Sequence, residues 1–246
     1  MKRLVAVTAV ACAMLLAPHA GSWSTAGQDE RGSKSKATQT APRGGVMTAD
    51  RGKFRILSDG QHVGTEEFAV TPSGGDWISR GSVDLKVPGA GTIQVTGELR
   101  LAADGRPLGY QWTSQGAKKS SGAIVFEGRS AKMELRAEGG QPFTQEFQFD
   151  SPQVIILDNN LYHHYGLLAR LYDWNAKGVQ TFSVLIPQDL TPGTITVEWA
   201  GPRAWDGVKA ELLRVRSSDL EIELYVAEGR LMRMDVPVSK AEIRRE

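Results

Sequence analysis

The sequence predicts a mainly β protein built on a single, strongly curved antiparallel sheet, a half-barrel with one amphipathic helix packed in its concavity. Two observations predict this fold class. Apolar and polar residues alternate with a period of two along many short segments. One segment, from Asp158 to Trp174, shows helical spacing instead. A meander of strands with one helix must bury the apolar side of that helix, and the concave face of the sheet is the natural place.

The strand segments have one apolar face and one polar face, as expected for antiparallel sheets with one side in water. Three of them show the alternation most clearly, with apolar faces made of Ile93, Val95, Leu99 and Leu101, of Met133, Leu135 and Ala137, and of Leu220, Ile222, Leu224 and Val226. Turn-forming pairs separate the segments, at Asp59-Gly60, Asp104-Gly105, Gly139-Gly140, Pro192-Gly193 and Glu228-Gly229. This spacing predicts about a dozen strands joined mostly as hairpins.

The central segment carries one apolar stripe at positions i, i+4, i+7 and i+11, formed by Leu161, Tyr165, Leu168 and Tyr172. The helix is expected to begin at Asp158, Asn159 or Asn160, residue types that cap helix N-termini. Gly178 is placed to end the element soon after Trp174. The fully apolar run from Val154 to Leu157 precedes the helix and is expected to be a buried strand or lead-in.

Two adjacent histidines lie on this helix and point in different directions. At about 100° per residue, His164 lies near the edge of the apolar stripe, whereas His163 lies opposite the stripe and is expected in solvent. They cannot bind one metal ion together, because helical ligands need a spacing of three or four residues, and no metal site is predicted. The candidate ligand-binding residues are those on or beside the stripe: Asn160, His164, Tyr165, Leu168 and Tyr172.

The N-terminus is typical of a secretory signal peptide. Lys2 and Arg3 precede an apolar run over residues 4–17, which is too short to span a bilayer. Cleavage after Ala26 fits better than cleavage after Ala20, so residues 1–26 are predicted to be the signal peptide. Residues 27–50 are polar and predicted to be a flexible tether. Residues 51–246 form the predicted domain, and a chain that begins at Asp50 is expected to fold as well as a longer one.

Cys12 is the one cysteine of the chain and lies within the predicted signal peptide. Lipoprotein anchoring through Cys12 is not favoured, because Ala9 stands where a leucine-like residue is needed. The processed protein would have no thiol and no disulfide, which excludes thiolate chemistry. The expected location is periplasmic or secreted.

Charge and motifs exclude several classes of function. Without Lys2 and Arg3, 27 basic residues face 28 acidic ones, so no basic surface for nucleic acid is indicated. No phosphate-binding loop, nucleophile elbow or metalloprotease motif occurs, and no cofactor is predicted. Glu66 and Glu67 are neighbours on a predicted strand and therefore face opposite sides of the sheet, which prevents them from acting as an acid–base pair.

Three segments carry a resemblance to uncharacterised secreted bacterial β-domains: FRILSDGQHVGTEEFAV at the first strands, LDNNLYHHYGLLARLYD at the helix and GRLMRMDVPV near the end. These domains are similar in architecture to lipoprotein carriers of the LolA and LolB type, in which an unclosed antiparallel barrel wraps helical segments. The resemblance spans about residues 51–238 and has no diagnostic motif. It implies non-enzymatic binding of an apolar ligand in the concavity of the sheet.

The expected function is therefore that of a non-catalytic exported envelope protein. Its ligand would be an apolar or amphiphilic small molecule such as a lipid, or a partner protein, held in the concave face of the sheet. Two alternatives stay open: a hydrolase that uses Asp158, His163 or His164, and a structural module whose helix fills the barrel. The space beside the helix separates ligand binding from a structural role, because a ligand site needs about 300 Å³ or more.

Overall fold

The computed structural model describes residues 46–87, 91–218 and 220–246. They form fifteen strands and one α-helix, together with a short 3-10 turn at Pro237–Ser239. In chain order, these elements are β1 Asp50–Ser58, β2 Gln61–Ser73, β3 Asp76–Val87, β4 Gly91–Leu101, β5 Pro107–Gln115, β6 Ser120–Glu127, β7 Ser130–Ala137, β8 Phe143–Gln148, β9 Val154–Ile156, α1 His163–Leu171, β10 Gln180–Ile186, β11 Thr191–Trp205, β12 Val208–Arg216, β13 Glu221–Ala227, β14 Arg230–Val236 and β15 Ala241–Arg245.

All described strands belong to one sheet, in the order β8-β7-β6-β5-β4-β3-β2-β1-β15-β14-β13-β12-β11-β10-β9. The predicted fold class is confirmed: a single large sheet that is not closed into a barrel, with one helix. The two edge strands, β8 and β9, follow each other in the chain. Every strand pair is antiparallel except β9 with β10, which is parallel.

The pairing of β1 with β15 joins the two halves of the sheet, with Phe54 opposite Arg245 and Ile56 opposite Ile243. On one side of this junction β1 to β8 form a meander of neighbouring hairpins. On the other side β9 to β15 form a second run of neighbours. The helix lies between β9 and β10 in the chain and contacts β13 and β14.

Most of the predicted turns are present, with residues in the left-handed region that glycine adopts readily. Asp59 and Gly60 have φ values of 50° and 75°, and Glu228 and Gly229 have 51° and 71°. The prediction of a turn at Pro192-Gly193 is wrong, because both residues lie inside β11. The chain turns earlier, before β11, where Leu190 has a φ of 55°. Proline is tolerated near the start of a strand, and a Pro-Gly pair there resembles a turn signal.

The helix is shorter than predicted, with nine residues from His163 to Leu171. Its N-cap is Tyr162, whose side chain makes no capping hydrogen bond. Asp158 does not cap the helix; its Oδ1 accepts a hydrogen bond from the N–H of Asn160 at 2.8 Å, which makes a separate tight turn. The helix ends at Tyr172, where the backbone becomes extended, well before Gly178. The predicted stripe of Leu161, Tyr165, Leu168 and Tyr172 is buried as expected.

Residues 46–50, the described end of the segment predicted to be a tether (residues 27–50), include a side chain packed in the domain. Met47 is only 4% exposed and packs in the main core. The Nη1 of Arg170 donates to the carbonyl oxygen of Thr48 at 2.5 Å, and Asp50 already lies in β1. The predicted signal peptide and most of the predicted tether, residues 1–45, lie outside the described residues. Among the described residues, no helix combines the length and apolar character that crossing a bilayer requires.

Candidate functional site

The N-terminus of α1 points at a carboxylate from another element. Glu66 on β2 is fully buried. Its Oε2 accepts hydrogen bonds from the backbone N–H of Tyr162 at 2.9 Å and of His163 at 3.2 Å. These are among the free donors that every helix leaves at its start. Glu66 therefore caps a helix that carries no capping side chain of its own.

His163 continues this network into the sheet. Its Nδ1 lies 2.5 Å from Oε1 of Glu66, and its Nε2 lies 2.9 Å from Oγ of Ser79 on β3. If Nδ1–H donates to the carboxylate, Nε2 accepts from the hydroxyl, and every group is satisfied. The ring stacks on Phe68 with centroids 5.3 Å apart. Glutamate, histidine and serine thus stand in the order of a hydrolase triad.

The prediction that His163 lies in solvent is wrong, because its ring is 2% exposed. The helical periodicity correctly places His163 away from the apolar stripe. The sheet, however, packs against that side of the helix as well, and Gly81 on β3 leaves the space that the ring occupies. A Cβ at Gly81 would lie 2.5 Å from Cε1 of His163.

Burial governs the ionisation of this pair. Burial raises the pKa of Glu66 well above its ordinary value, against the opposing effect of the two backbone N–H donors. Burial also lowers the pKa of His163 to about 3. Removal from water disfavours the charged form of both groups. The histidine is therefore uncharged at neutral pH.

A second buried network surrounds Asp158. Its Oδ2 accepts from the hydroxyl of Tyr110 at 2.7 Å and from the side-chain amide of Gln188 at 2.9 Å. The N–H of Asp158 donates to Nδ1 of His164 at 3.4 Å. Nε2 of His164 has no hydrogen-bond partner within the described structure. Burial, with a smaller contribution from the neighbouring His163, lowers the pKa of His164 to about 3.

The predicted ligand-binding residues lie together at the helix. His164, Tyr165, Leu168 and Tyr172 are buried, and Asn160 is half-buried. A cavity lined by other residues of α1, among them His163 and Leu167, has a volume of about 10 Å³, enough for about one water molecule. That the five predicted residues hold a ligand stays a prediction.

An ion-pair cluster closes the small cavity beside α1. Asp50 accepts from Nη2 of Arg170 at 3.0 Å and from Nη2 of Arg245 at 2.6 Å. All three side chains are almost fully buried. The guanidinium of Arg245 also lies over the ring of Phe68. The cluster links β1, the helix and β15. Among the described residues, no group of acidic, histidine or cysteine side chains is suited to binding a metal ion.

A large open groove lies on the opposite face of the sheet. One row of residues across β2 to β7 faces the core and is rich in glycine: Phe68, Gly81, Gly97, Trp112, Gly122 and Leu135. A Cβ at Gly97 would lie 2.4 Å from Cδ1 of Leu161, and one at Gly122 would lie 2.2 Å from the ring of Trp112. At these positions the backbone of the sheet therefore lies so close to Leu161 and to the ring of Trp112 that only glycine fits. On the outside, this row from Phe68 to Gly122 is the floor of a groove of about 940 Å³.

Two rows of outward-facing residues form the walls of this outer groove. One wall runs across the strands as Glu67, Ser82, Thr96, Thr113, Ser121 and Arg136, and the other as Ala69, Arg80, Glu98, Gln111, Ala123 and Glu134. The hydroxyl oxygens of Thr96 and Thr113 are hydrogen-bonded at 2.8 Å. Nε of Arg80 pairs with Oε2 of Glu98 at 2.7 Å, and Nζ of Lys53 lies 3.6 Å from Oε1 of Glu67.

Sequence reasoning missed both Glu66 and the groove. The opposite orientation of Glu66 and Glu67 is confirmed, since Glu66 is buried and Glu67 is exposed. That orientation already placed one carboxylate on the apolar face of β2, and a carboxylate there needs a buried partner. The regular glycines at Gly81, Gly97 and Gly122 were the signal for the groove, because glycine inside a strand often marks a close approach.

The fold is similar to that of a solved β-barrel-like protein of a domain of unknown function, DUF1849, from Brucella abortus. The two have 10% sequence identity and a TM-score of 0.55, over 80% of this chain and 94% of that chain. No protein-family model and no curated protein matches the chain. The likeness supports the unclosed, curled sheet. The resemblance to lipoprotein carriers stays a prediction.

Proposed function

We propose that this protein is a non-catalytic binding protein whose site is the outer groove across β2 to β7. One observation carries the proposal: the groove has a volume of about 940 Å³, whereas the cavity beside the helix has about 10 Å³. Binding sites for small ligands have volumes of several hundred Å³. We keep the binding function expected from the sequence, but we propose a site on the outer face of the sheet instead of the concave face.

A lipid held in the concavity is the less favoured form of the same function. The helix fills that space with Leu161, Tyr165 and Leu168, each buried in the main core. A lipid would have to displace the helix and, with it, the hydrogen bonds between Glu66 and the helix N-terminus. The groove needs no such rearrangement, because it is open in the folded protein.

The groove has the composition of a binding surface rather than of a catalytic centre. Its described lining contains no histidine and no cysteine. Of its charged groups, Arg80 and Glu98 neutralise each other, and Glu67 is near Lys53. Glu134 is then the remaining carboxylate of the described lining, whereas acid–base hydrolysis usually uses two positioned titratable groups. Hydroxyl and amide groups dominate the middle of the groove and suit hydrogen bonding to a ligand.

We also propose that the protein acts outside the cytoplasm, on the basis of the charged and apolar segments at Lys2 to Ala17. N-terminal sequencing of protein from the periplasm or medium of its own host tests this. A new N-terminus near Gly27 is expected. A full-length chain found in the cytoplasm would contradict export.

Site-directed photo-crosslinking tests the binding function without assuming the chemistry of the ligand. The photoreactive amino acid p-benzoylphenylalanine replaces Ala123, an exposed wall residue of the groove, in the full chain expressed in its own host. A matched variant carries it at Val238, which is 76% exposed and does not line the groove. We expect a discrete, light-dependent adduct at position 123 alone. Equal adducts at both positions, or none at 123, would refute a binding site in the groove.

A serine hydrolase is the second candidate, because Ser79, His163 and Glu66 stand in triad order. The hydrolase expected from the sequence used Asp158, His163 or His164. In the structure, Glu66 and not Asp158 is the acidic partner of His163. All three side chains are buried at the helix, so a substrate has no path to Ser79 in this conformation. A fluorophosphonate probe, which labels activated serines, is expected to leave the protein unlabelled. Labelling that disappears in Ser79→Ala would favour the hydrolase.

A further inference from the structure

We propose that the outer groove binds a single extended, uncharged glycan chain. This inference rests on the proposed binding function and names the chemistry of the ligand. The dimensions of the groove, the residues of its walls and its charge carry the inference.

The groove fits one extended polymer chain. It crosses six neighbouring strands, β2 to β7, and strands lie about 4.8 Å apart, which gives a length of about 24 Å. Its walls come from residues two positions apart on each strand, such as Ser82 and Arg80 on β3, and are therefore about 7 Å apart. A compact ligand would leave most of this length empty.

The walls offer a ladder of hydrogen-bonding groups at the spacing of the strands. Ser82, Thr96, Thr113 and Ser121 lie on four successive strands, and Gln111 faces them from the other wall. A hydroxyl both donates and accepts hydrogen bonds, as does each hydroxyl of a sugar. A sugar ring is about as long as the ~4.8 Å separation of strands, so successive sugars of an extended chain can each face one strand.

The charge and polarity of the lining argue against a nucleic acid or a lipid as the ligand. The lining carries Glu67, Glu98 and Glu134 against Arg80 and Arg136, a balance that does not attract nucleic acid. Ala69 and Ala123 are the outward-facing apolar side chains of the lining, because Phe68 and Trp112 are buried toward the core. A lipid tail therefore has little apolar surface to contact.

A peptide fits the groove less well than a glycan. Peptide recognition in extended or helical form uses a free sheet edge, an apolar groove, an aromatic-lined groove or an arginine cluster. The groove lies on a sheet face across paired strands, so their backbone groups are engaged with each other. Its described lining has neither an outward aromatic side chain nor a cluster of arginines. Hydrogen bonding to a hydroxyl-rich chain is what the walls provide.

The test uses chitopentaose and cellopentaose, two neutral extended oligosaccharides, titrated into the isotope-labelled protein and followed by amide chemical shifts. We expect saturable shifts at Ser82, Thr96, Thr113 and Ser121 with at least one of the two. The double variant Thr96→Val, Thr113→Val removes two hydroxyls without changing shape. It should weaken binding about tenfold or more, since one neutral hydrogen bond contributes roughly a factor of five. Thr65→Val, on the same face of β2 but outside the lining, should leave the affinity unchanged.

The outcomes separate this inference from the proposed function. A groove adduct at position 123 that proves to be a polypeptide would overturn the glycan inference and leave a binding protein. The absence of shifts in the groove with both pentasaccharides, or shifts that Thr96→Val, Thr113→Val leaves intact, would overturn it as well. The absence of any adduct at position 123 would instead remove the proposed binding function itself.

Discussion

Glu66 and His163 are 97 positions apart in the sequence, yet Oε1 of the first lies 2.5 Å from Nδ1 of the second. The same carboxylate accepts hydrogen bonds from the first backbone N–H groups of the helix. A negative charge or acceptor at this end of a helix also complements its dipole. A strand of the first hairpin therefore supplies the cap of a helix that the chain forms much later. Glu66 is thus one of the side chains that join the sheet to the helix.

Replacing Glu66 tests whether this contact stabilises the fold. Glu66→Ala would remove the side-chain partner of two backbone N–H groups and of Nδ1 of His163. We expect it to lower the free energy of unfolding by about 3 kcal/mol, the range for an unsatisfied buried network. Glu67→Ala, on the exposed side of the same strand, should stay within about 0.5 kcal/mol. Urea unfolding of both variants measures the difference, and equal effects would contradict the capping role.

The two adjacent histidines should respond differently to the same substitution. His163→Phe removes the imidazole that bonds to the side chains of both Glu66 and Ser79, and we expect a loss of about 2 to 4 kcal/mol in the free energy of unfolding. His164→Phe removes an Nε2 that has no partner in the described structure and one long hydrogen bond at 3.4 Å. Its effect should stay within about 1 kcal/mol. A larger loss at His164 than at His163 would show that the partners are assigned wrongly.

The dependence of stability on pH should report the buried state of His164. Its pKa falls to about 3 in the folded protein from an ordinary value of 6.5. Below about pH 6.5 the unfolded chain gains a proton that the folded protein does not, so stability falls as the pH falls toward 3. His164→Phe removes this titrating group. The free energy of unfolding should then fall less steeply with falling pH, by up to about 1.4 kcal/mol per pH unit. Urea midpoints across this range test it, and identical slopes would refute a histidine that stays uncharged.

Gly97 should tolerate no side chain. In Gly97→Ala the new Cβ would lie 2.4 Å from Cδ1 of Leu161 and 3.0 Å from the hydroxyl of Tyr110. We expect a loss of about 1 to 3 kcal/mol from overpacking. Gly193→Ala is the control, because its Cβ meets its nearest atom at 3.5 Å, an ordinary contact. Adding Leu161→Ala to Gly97→Ala should recover part of the loss relative to the sum of the two single effects; strict additivity would mean that the two residues do not touch.

The residues just before β1 should contribute to stability. A chain that begins at Asp50 lacks Met47, which is buried in the core, and the carbonyl of Thr48, which accepts from Arg170. We expect it to unfold about 2 to 5 kcal/mol more easily than a chain that begins at Val46, as for other losses of a large buried side chain. Met47→Ala in the full chain should reproduce most of the difference. Indistinguishable thermal midpoints for the two truncated chains would instead support the predicted tether boundary at residue 50.

The fold class followed from local patterns, because alternation along a strand and the stripe at Leu161, Tyr165, Leu168 and Tyr172 are set by neighbouring residues. The helix ends were placed too far apart. Asp158 has the side chain of a cap but uses it for the tight turn at Asn160 and for Tyr110. The true capping group lies on β2, and no local rule connects Glu66 with Tyr162.

The site was harder to predict than the fold, because it depends on which faces of the sheet meet. Periodicity gives the direction of His163 relative to the stripe, but not that the sheet covers both sides of the helix. The groove is likewise a property of six strands in register. Its glycines at Gly81, Gly97 and Gly122 stand far apart in the sequence and come into one row only when the strands pair.

The pairing of β1 with β15 has a consequence for synthesis of the chain. Arg55 on β1 and Glu246, just after β15, are 191 residues apart and form an ion pair. At about 5 to 20 residues per second, the ribosome makes β15 roughly 10 to 40 s after β1. During that interval β1 can pair with β2, while its other edge has no strand beside it. An unpaired edge readily joins strands of other molecules, so a partly made chain that has begun to fold is most prone to aggregate until β15 has been made.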